Sequence, residues 1–260
     1  MEPRERGNSW WRPEKITGIL LGLSIAGAAT SAQATPSTTF YTVATPYIQP
    51  FAVPHFTYDS YLSGSAAFPA DLGFTVGLLP FKKFQAEAGF DLFYPGSNPF
   101  QINFKGGIPE GAFGKYIPGL TAGIFGMGFE NNVNNYDILH FEIGKTFSRI
   151  GTISVGGYKG LKSKLLRSAS GKDQDWGYLV SFYRPLEPWT ERIALSADYM
   201  SGKNIFGGGG AGLYFWFTKS IDVIIGWVWF NDEELNQPFR DGVFTIQLDI
   251  DFNFKNSLPD

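Results

Sequence analysis

The stretch GVFTIQLDIDFNF, residues 242–254, sets Phe244, Ile246, Leu248, Ile250, Phe252 and Phe254 in alternation with Thr245, Gln247, Asp249, Asp251 and Asn253. Successive side chains of a β-strand point to opposite faces, so this segment has one apolar and one polar side. The same period-two pattern, closed each time by Gly, Pro, Asn or Asp, recurs along the chain and marks strands. Twelve such segments are predicted, at 48–59, 72–79, 83–94, 99–106, 118–128, 135–147, 150–158, 176–184, 191–200, 208–217, 220–230 and 242–254. The longest apolar run among them, VIIGWVWF at 223–230, is far short of the roughly 20 residues a spanning helix needs, so a helical membrane protein is excluded.

Two all-β architectures share this alternation. A soluble sandwich buries its apolar faces between two sheets, whereas a membrane barrel turns them outward to lipid. Ring residues near segment ends, such as Phe84, Phe93, Tyr94, Tyr199, Phe217, Trp227, Trp229 and Phe254, match the aromatic girdles of the second. Aromatics make up 17% of the chain, and its 32 glycines supply tight turns. There is no cysteine, which removes disulfides, thiolate nucleophiles and Cys-type metal sites together. A net charge of −3 gives no basic stripe for nucleic acid.

The N-terminus reads as a separate unit. Arg4, Arg6, Arg12 and Lys15 precede the apolar run ITGILLGLSIAGAA at 16–29, and SAQA follows, with Ala32 and Ala34 in the small-x-small cleavage pattern. Residues 1–34 are therefore expected to be a cleaved signal peptide and 35–260 the exported barrel.

Loop lengths give an independent clue. LPFKK (79–83), FSRIG (147–151) and FTKS (217–220) are tight, whereas GFENNVNNYD (128–137), YKGLKSKLLRSASGKDQDWG (158–177), YMSGKNIFGGGG (199–210) and FNDEELNQPFRDG (230–242) are long and polar. The short link at 94–99 and the long one at 106–119 depart from the trend. This is the asymmetry of bacterial outer-membrane barrels, with tight turns on the periplasmic side. Lipid offers no partner to a free strand edge, so the sheet is expected to close into an antiparallel transmembrane β-barrel of about 12 strands. The location implied is the outer membrane of a Gram-negative cell, reached through the periplasm, with outer-membrane lipid as surroundings. Placing Asp249 and Asp251 on the lipid face would cost a few kcal/mol each, so they point inward.

The inward parity predicts a lumen lined by His55, Asp59, Glu87, Asp91, Lys105, His140, Glu142, Arg192, Asp198, Asp222, Asp249 and Asp251, with Thr57, Gln101, Asn103 and Ser196 between them. An acidic lining favours cations in a narrow pore; the alternative is a salt-bridge network that fills the interior and passes nothing. One wall is apolar on its inward side, with Tyr214, Trp216, Ile224 and Val228. Three arrangements would produce it: a site for an aromatic or apolar solute, a plug from the N-terminal region TPSTTFYTVATPYI (35–48) packed against it, or tight side-chain filling.

Other motifs carry less. His140 and Glu142 share a strand face, and a barrel hydrolase would use a His with a Ser, but no local motif marks a nucleophile, so no catalytic residue is assigned. A metal site from His55, Asp59, His140 and Glu142 has no supporting spacing, and neither metal nor cofactor is expected. FGGGGAG (206–212) lacks the Lys-Ser/Thr of a phosphate loop and reads as a place of close backbone approach. The loop lysines Lys159, Lys162, Lys164 and Lys172, with Arg167, suit lipopolysaccharide phosphates.

With these residues in view the chain resembles bacterial outer-membrane β-barrels. Its final strand is similar to the C-terminal signal such barrels present to the barrel-assembly machinery, although KNSLPD follows Phe254 where most members end on the aromatic. The stretches 197–232 and 49–62 resemble uncharacterised barrels loosely related to outer-membrane proteins of aromatic-compound (phenol) degradation. The resemblance implies a compartment, the outer membrane, and little chemistry; the inward Tyr214 and Trp216 point to a narrow passive channel or facilitator for small solutes, apolar or aromatic ones among them, with a structural barrel of closed lumen or a barrel hydrolase as the alternatives.

Overall fold

The computed structural model describes residues 38–62, 70–94, 97–187, 190, 192–236 and 241–252. The expected signal peptide, Phe254 and the KNSLPD tail lie outside these residues. The described chain contains twelve strands: β1 (Pro54–Leu62), β2 (Ala70–Gly77), β3 (Gln85–Tyr94), β4 (Phe100–Ile108), β5 (Gly119–Gly128), β6 (Ile138–Phe147), β7 (Gly151–Gly160), β8 (Trp176–Pro185), β9 (Ile193–Met200), β10 (Gly208–Trp216), β11 (Ile221–Phe230) and β12 (Val243–Asp251). Each pairs antiparallel with its sequence neighbours, and β1 pairs with β12 from His55↔Asp251 to Leu62↔Phe244, which closes the barrel. Closure removes the free edges that a lipid-embedded sheet has no means to satisfy.

Alternation sets the two faces. On β6, Ile138, His140, Glu142 and Gly144 are buried while Leu139, Phe141 and Ile143 are exposed. On β12, Val243, Thr245, Gln247, Asp249 and Asp251 are buried while Phe244 and Ile246 are exposed. The outward side chains continue around the girth as Phe100, Phe104, Ile153, Val155, Val180, Leu195, Trp227 and Trp229. A soluble monomer exposes apolar patches of only a few hundred Å², so a belt encircling the whole barrel is a surface made for hydrocarbon. A one-residue slip would put Asp249 into that belt and Phe244 into the interior.

Two details of the predicted segments change. Residues 48–53, read as the start of the first strand, form a turn below it, because Pro50 and Pro54 interrupt the ladder and Ala52 takes a left-handed φ of 56°. Phe93 follows Asp91 at inward parity and lines the interior, so it belongs to no lipid-facing girdle. A bulge between Ile102 and Phe104 shifts the β4–β5 register. Gly126, at φ 69°, absorbs it and donates its N–H to Asn103 Oδ1 at 3.1 Å.

The end carrying Pro54 and Asp251 has the tight turns, and we call it the base; the opposite end, with the loops around 129–137, 161–175 and 201–207, is the top. The top loops fold onto the barrel. Leu166 is fully buried with Ile138, Tyr158, Leu179 and Met200, and buried Asn204 donates to Gln174 O and to Tyr158 Oη.

Candidate functional site

The described chain begins inside the barrel. Residues 38–53 thread the lumen before emerging at the base into β1, and inward side chains hold them along the way. The Asp198 carboxylate accepts three successive backbone N–H groups, from Phe40 at 2.7 Å, Tyr41 at 2.9 Å and Thr42 at 2.9 Å. Such a run of amides is a preformed anion nest, here closed on a carboxylate of the same chain. Ser196 Oγ and Tyr214 Oη both donate to Thr39 O, and Gln247 Nε2 donates to Phe40 O. Lower down, Thr121 Oγ1 donates to Thr45 O, Gln49 N donates to Glu87 Oε2, and Gln49 Nε2 donates to Asp251 Oδ1.

The Phe40 ring, 1% exposed, lies over bare backbone. A Cβ on Gly210, Gly212 or Gly226 would press on this ring, so the three glycines of β10 and β11 form its seat. Around it pack Ala194, Tyr214, Trp216, Ile224, Val228 and Val243. Tyr214 stacks on Trp216 with centroids 5.4 Å apart, and Tyr183 meets Tyr214 edge-on. Of the three arrangements open for this wall, the plug is the one observed, and Tyr214 and Trp216 meet the chain's own Phe40 where a solute stripe would have left them open.

The remaining predicted residues fall into separate networks. His55 lies 3.0 Å from Asp251 Oδ1 and 3.5 Å from Asp249 Oδ1. Lys105 pairs with Glu87 at 3.3 Å. His140 Nδ1 is 2.8 Å from Glu142 Oε1, and Thr121 Oγ1 donates to the other Glu142 oxygen. Asn103 donates to Asp91, and Thr57 donates to Asp59. Asp222 is fully buried, with no hydrogen-bond partner for either oxygen among the described residues. Arg192 is a correction: it is exposed in the turn before β9, one position short of the strand that would have carried it into the lumen. The two histidines belong to different networks, and among the described residues no group of three or more His, Asp and Glu is placed to hold a metal ion. In the top loop, Lys159 pairs with Asp175 and Arg167 with Asp173, while Lys164 and Lys172 are exposed.

Opposite the Phe40 seat the lumen stays hollow. A cavity of about 440 Å³ lies between Tyr41, Thr42 and Val43 of the internal segment and the wall of β1–β5. Its polar lining includes Asp59, Asp71, Glu87, Asp91 and Asp249, with His55 and Lys105. Towards the top its lining is aromatic, with Phe93, Phe125, Tyr136, Phe206 and Phe230. Phe206 meets Tyr136 edge-on at 4.7 Å and Phe125 at 5.7 Å. Asp71 is not in the predicted lumen because the predicted segment begins at Leu72, whereas β2 begins at Ala70; the outward alternation of Leu72, Phe74 and Val76, extended back by one residue, places Asp71 inside.

Neither a family model nor a curated protein matches the chain. Solved structures do resemble it in outline. An outer-membrane channel from Pseudomonas putida F1 matches at 9% identity over 84% of this chain and 99% of its own, with a TM-score of 0.48. Outer membrane phospholipase A from Escherichia coli matches at 10% identity over 86% and 99%, with a TM-score of 0.47. The NanC porin matches at 10% identity over 77% and 98%, with a TM-score of 0.48. At identities this low and TM-scores below 0.5, the work of this chain has to be read from its own residues.

Proposed function

We propose that this chain is an outer-membrane β-barrel acting as a narrow passive facilitator for small solutes, apolar or aromatic ones among them. In this reading residues 1–34 are its cleaved leader, residues 38–53 are its constriction, and Lys164 and Lys172 meet lipopolysaccharide phosphates at the top. The outward apolar belt supports a membrane location. The observation that carries the transport reading is the 440 Å³ cavity, which reaches from aromatic residues near the top to Glu87 and His55 towards the base. It is of the size that takes small organic molecules, and passage requires only that the strap along one wall shift or leave a gap. The three N–H bonds to Asp198 favour a second reading, a structural barrel sealed by its own N-terminal segment.

Planar-bilayer recordings of the full-length protein and of Phe40→Ala separate the two. Small current steps in the native protein, enlarged in the variant, are expected of a facilitator. Silence from both proteins, with no uptake of small solutes into liposomes, would leave the sealed barrel.

A further inference from the structure

We propose that the lumen cavity is a binding site for a small organic cation, an ammonium carried on an aromatic or alkyl body. The charged end would sit among Asp59, Asp71 and Asp91, and the apolar body against the rings towards the top. This rests on the reading above only in taking the cavity to be reached by solutes from outside.

The first argument is charge. Asp59 and Asp71 are directly opposed across the β1–β2 ladder, and like charges in that relation repel. Asp91 is paired with Gly73 on β2. A Cβ at Gly73 would approach Asp91 Oδ1 to 2.9 Å, so this carboxylate leans over the backbone two residues from Asp71. None of the three makes an ion pair among the described residues, whose cavity cations are already engaged, Lys105 with Glu87 and His55 with Asp249 and Asp251. A cation placed between them would relieve the repulsion.

The second argument is independent of the cluster. Asp249, 1% exposed, lines the same cavity, and its Oδ2 has no hydrogen-bond partner among the described residues. Buried acceptors left open cost free energy unless something in the cavity satisfies them. Shape then selects the kind of cation. Among the described residues no three acidic or imidazole groups converge closely enough to chelate a metal ion, whereas an ammonium needs only acceptors spread around one side and tolerates apolar contact on the other. Five rings, Phe93, Phe125, Tyr136, Phe206 and Phe230, supply that contact, and a cation near ring faces gains further attraction. The cavity volume suits a body the size of a substituted benzene.

The test uses the full-length protein in detergent and three probes of one shape: 2-phenylethylammonium, neutral 2-phenylethanol and anionic phenylacetate. Calorimetric titration should show 2-phenylethylammonium bound at least roughly tenfold more tightly than the alcohol, with the acid not bound. Asp59→Asn and Asp71→Asn, isosteric and charge-relieving, should each weaken the ammonium by about tenfold and leave the alcohol unchanged. Asp173→Asn, in the top loop, where the carboxylate pairs with Arg167 and is not part of the cavity lining, should change neither. Equal binding of ammonium and alcohol, or loss of neither with Asp59→Asn and Asp71→Asn in variants that keep the native melting transition, overturns the proposal. Bilayer recordings keep the two readings apart: ammonium binding without current upholds the site and removes the facilitator, and current without ammonium preference does the reverse.

Discussion

The two sides of the lumen are built from the same alternation and end in opposite states. On the β9–β12 side the inward positions pair large rings with bare glycine backbone, Tyr214 and Trp216 beside Gly210, Gly212 and Gly226, and the Phe40 ring completes a dry core. On the β1–β5 side the inward positions carry Asp59, Asp71, Asp91 and Thr75, too short to meet across the interior and too alike in charge to pack together, and a cavity remains. Parity decides which residues face inward, but volume and charge decide whether the space they enclose is filled. Twelve strands enclose a wider ring than the eight that side chains just fill, and this chain fills part of it with its own segment 38–53.

That contrast is most easily broken at Phe40. Phe40→Ala empties the seat over three glycines and should cost about 3–5 kcal/mol of stability, read as a lowered thermal unfolding transition in detergent, together with a rise in bilayer conductance. Gly210→Val approaches the same point from the wall: a side chain there would meet the Phe40 ring first, the nearest backbone atom being Trp227 O at 3.3 Å, so the ring should be evicted while the strand pairing stands. If either variant conducts like the native protein, the filled side has no part in limiting passage.

A smaller effect is expected from Asp198→Asn, which puts an amide nitrogen where one carboxylate accepted three N–H groups. Charge-assisted bonds of this kind are worth about 1.5–3 kcal/mol. The chain has no cysteine, so Tyr41→Cys gives a single labelling site on the cavity side of the strap. Its reaction with a maleimide should speed up by at least roughly tenfold when Asp198→Asn is added, and an unchanged rate would mean that Asp198 is not what holds the strap.

The strands were legible because lipid outside and water inside enforce a period of two on nearly every segment. Boundaries moved by only a few residues, chiefly where Pro50 and Pro54 cut into the first. The inward list is legible for the same reason and fails at its ends: β2 begins at Ala70, two residues before the predicted segment, which leaves out Asp71, and β9 begins at Ile193, two residues after the predicted 191, which brings in Arg192. The strap was harder to see. Residues 38–47 have no periodic pattern, and the Asp198 nest is made by backbone N–H groups that any sequence would supply. Only the inward apolar set of β10 and β11, Tyr214, Trp216, Ile224 and Val228, hinted that something else must pack there. The hollow side left no signal at all, since a cavity is defined by side chains that do not meet.

On the hollow side, Lys105→Met tests whether the β3–β4 ion pair shapes the cavity field. It leaves Glu87 held only by Gln49 N among the described contacts that the structure gives it, and adds one net negative charge to the lining. The reversal potential under a salt gradient should move towards that of cations, by an amount that shrinks as ionic strength rises. A shift towards anions would contradict an acidic cavity as the selective element.

The smallest effect belongs to the base, where the strap passes β5 and β6. A Cβ on Gly119 would meet Pro46 Cβ at 3.1 Å and Glu110 N at 3.2 Å, so the β4–β5 turn and the strap close on the same point. Glu110 receives Lys145 Nζ at 2.8 Å and both the N–H and the hydroxyl of Thr146. Partial burial pushes its carboxyl up, but the hydrogen bonds from Lys145 and Thr146 outweigh that and hold it below its ordinary value of 4.5. A carboxyl more acidic in the folded chain than in the unfolded one stabilises the fold at pH above about 4.5, and that contribution fades as pH falls through the folded value. Solvent reaches this pair, so the contribution is no more than about 1 kcal/mol. Glu110→Gln should therefore lower the unfolding transition slightly at pH 7, match the native protein once both are well below pH 4, and leave Tyr41→Cys labelling unchanged. If labelling does speed up, the turn at the base holds the strap as firmly as the Phe40 seat does, and the division of the lumen into a fixed side and an open one would have to be redrawn around Pro46.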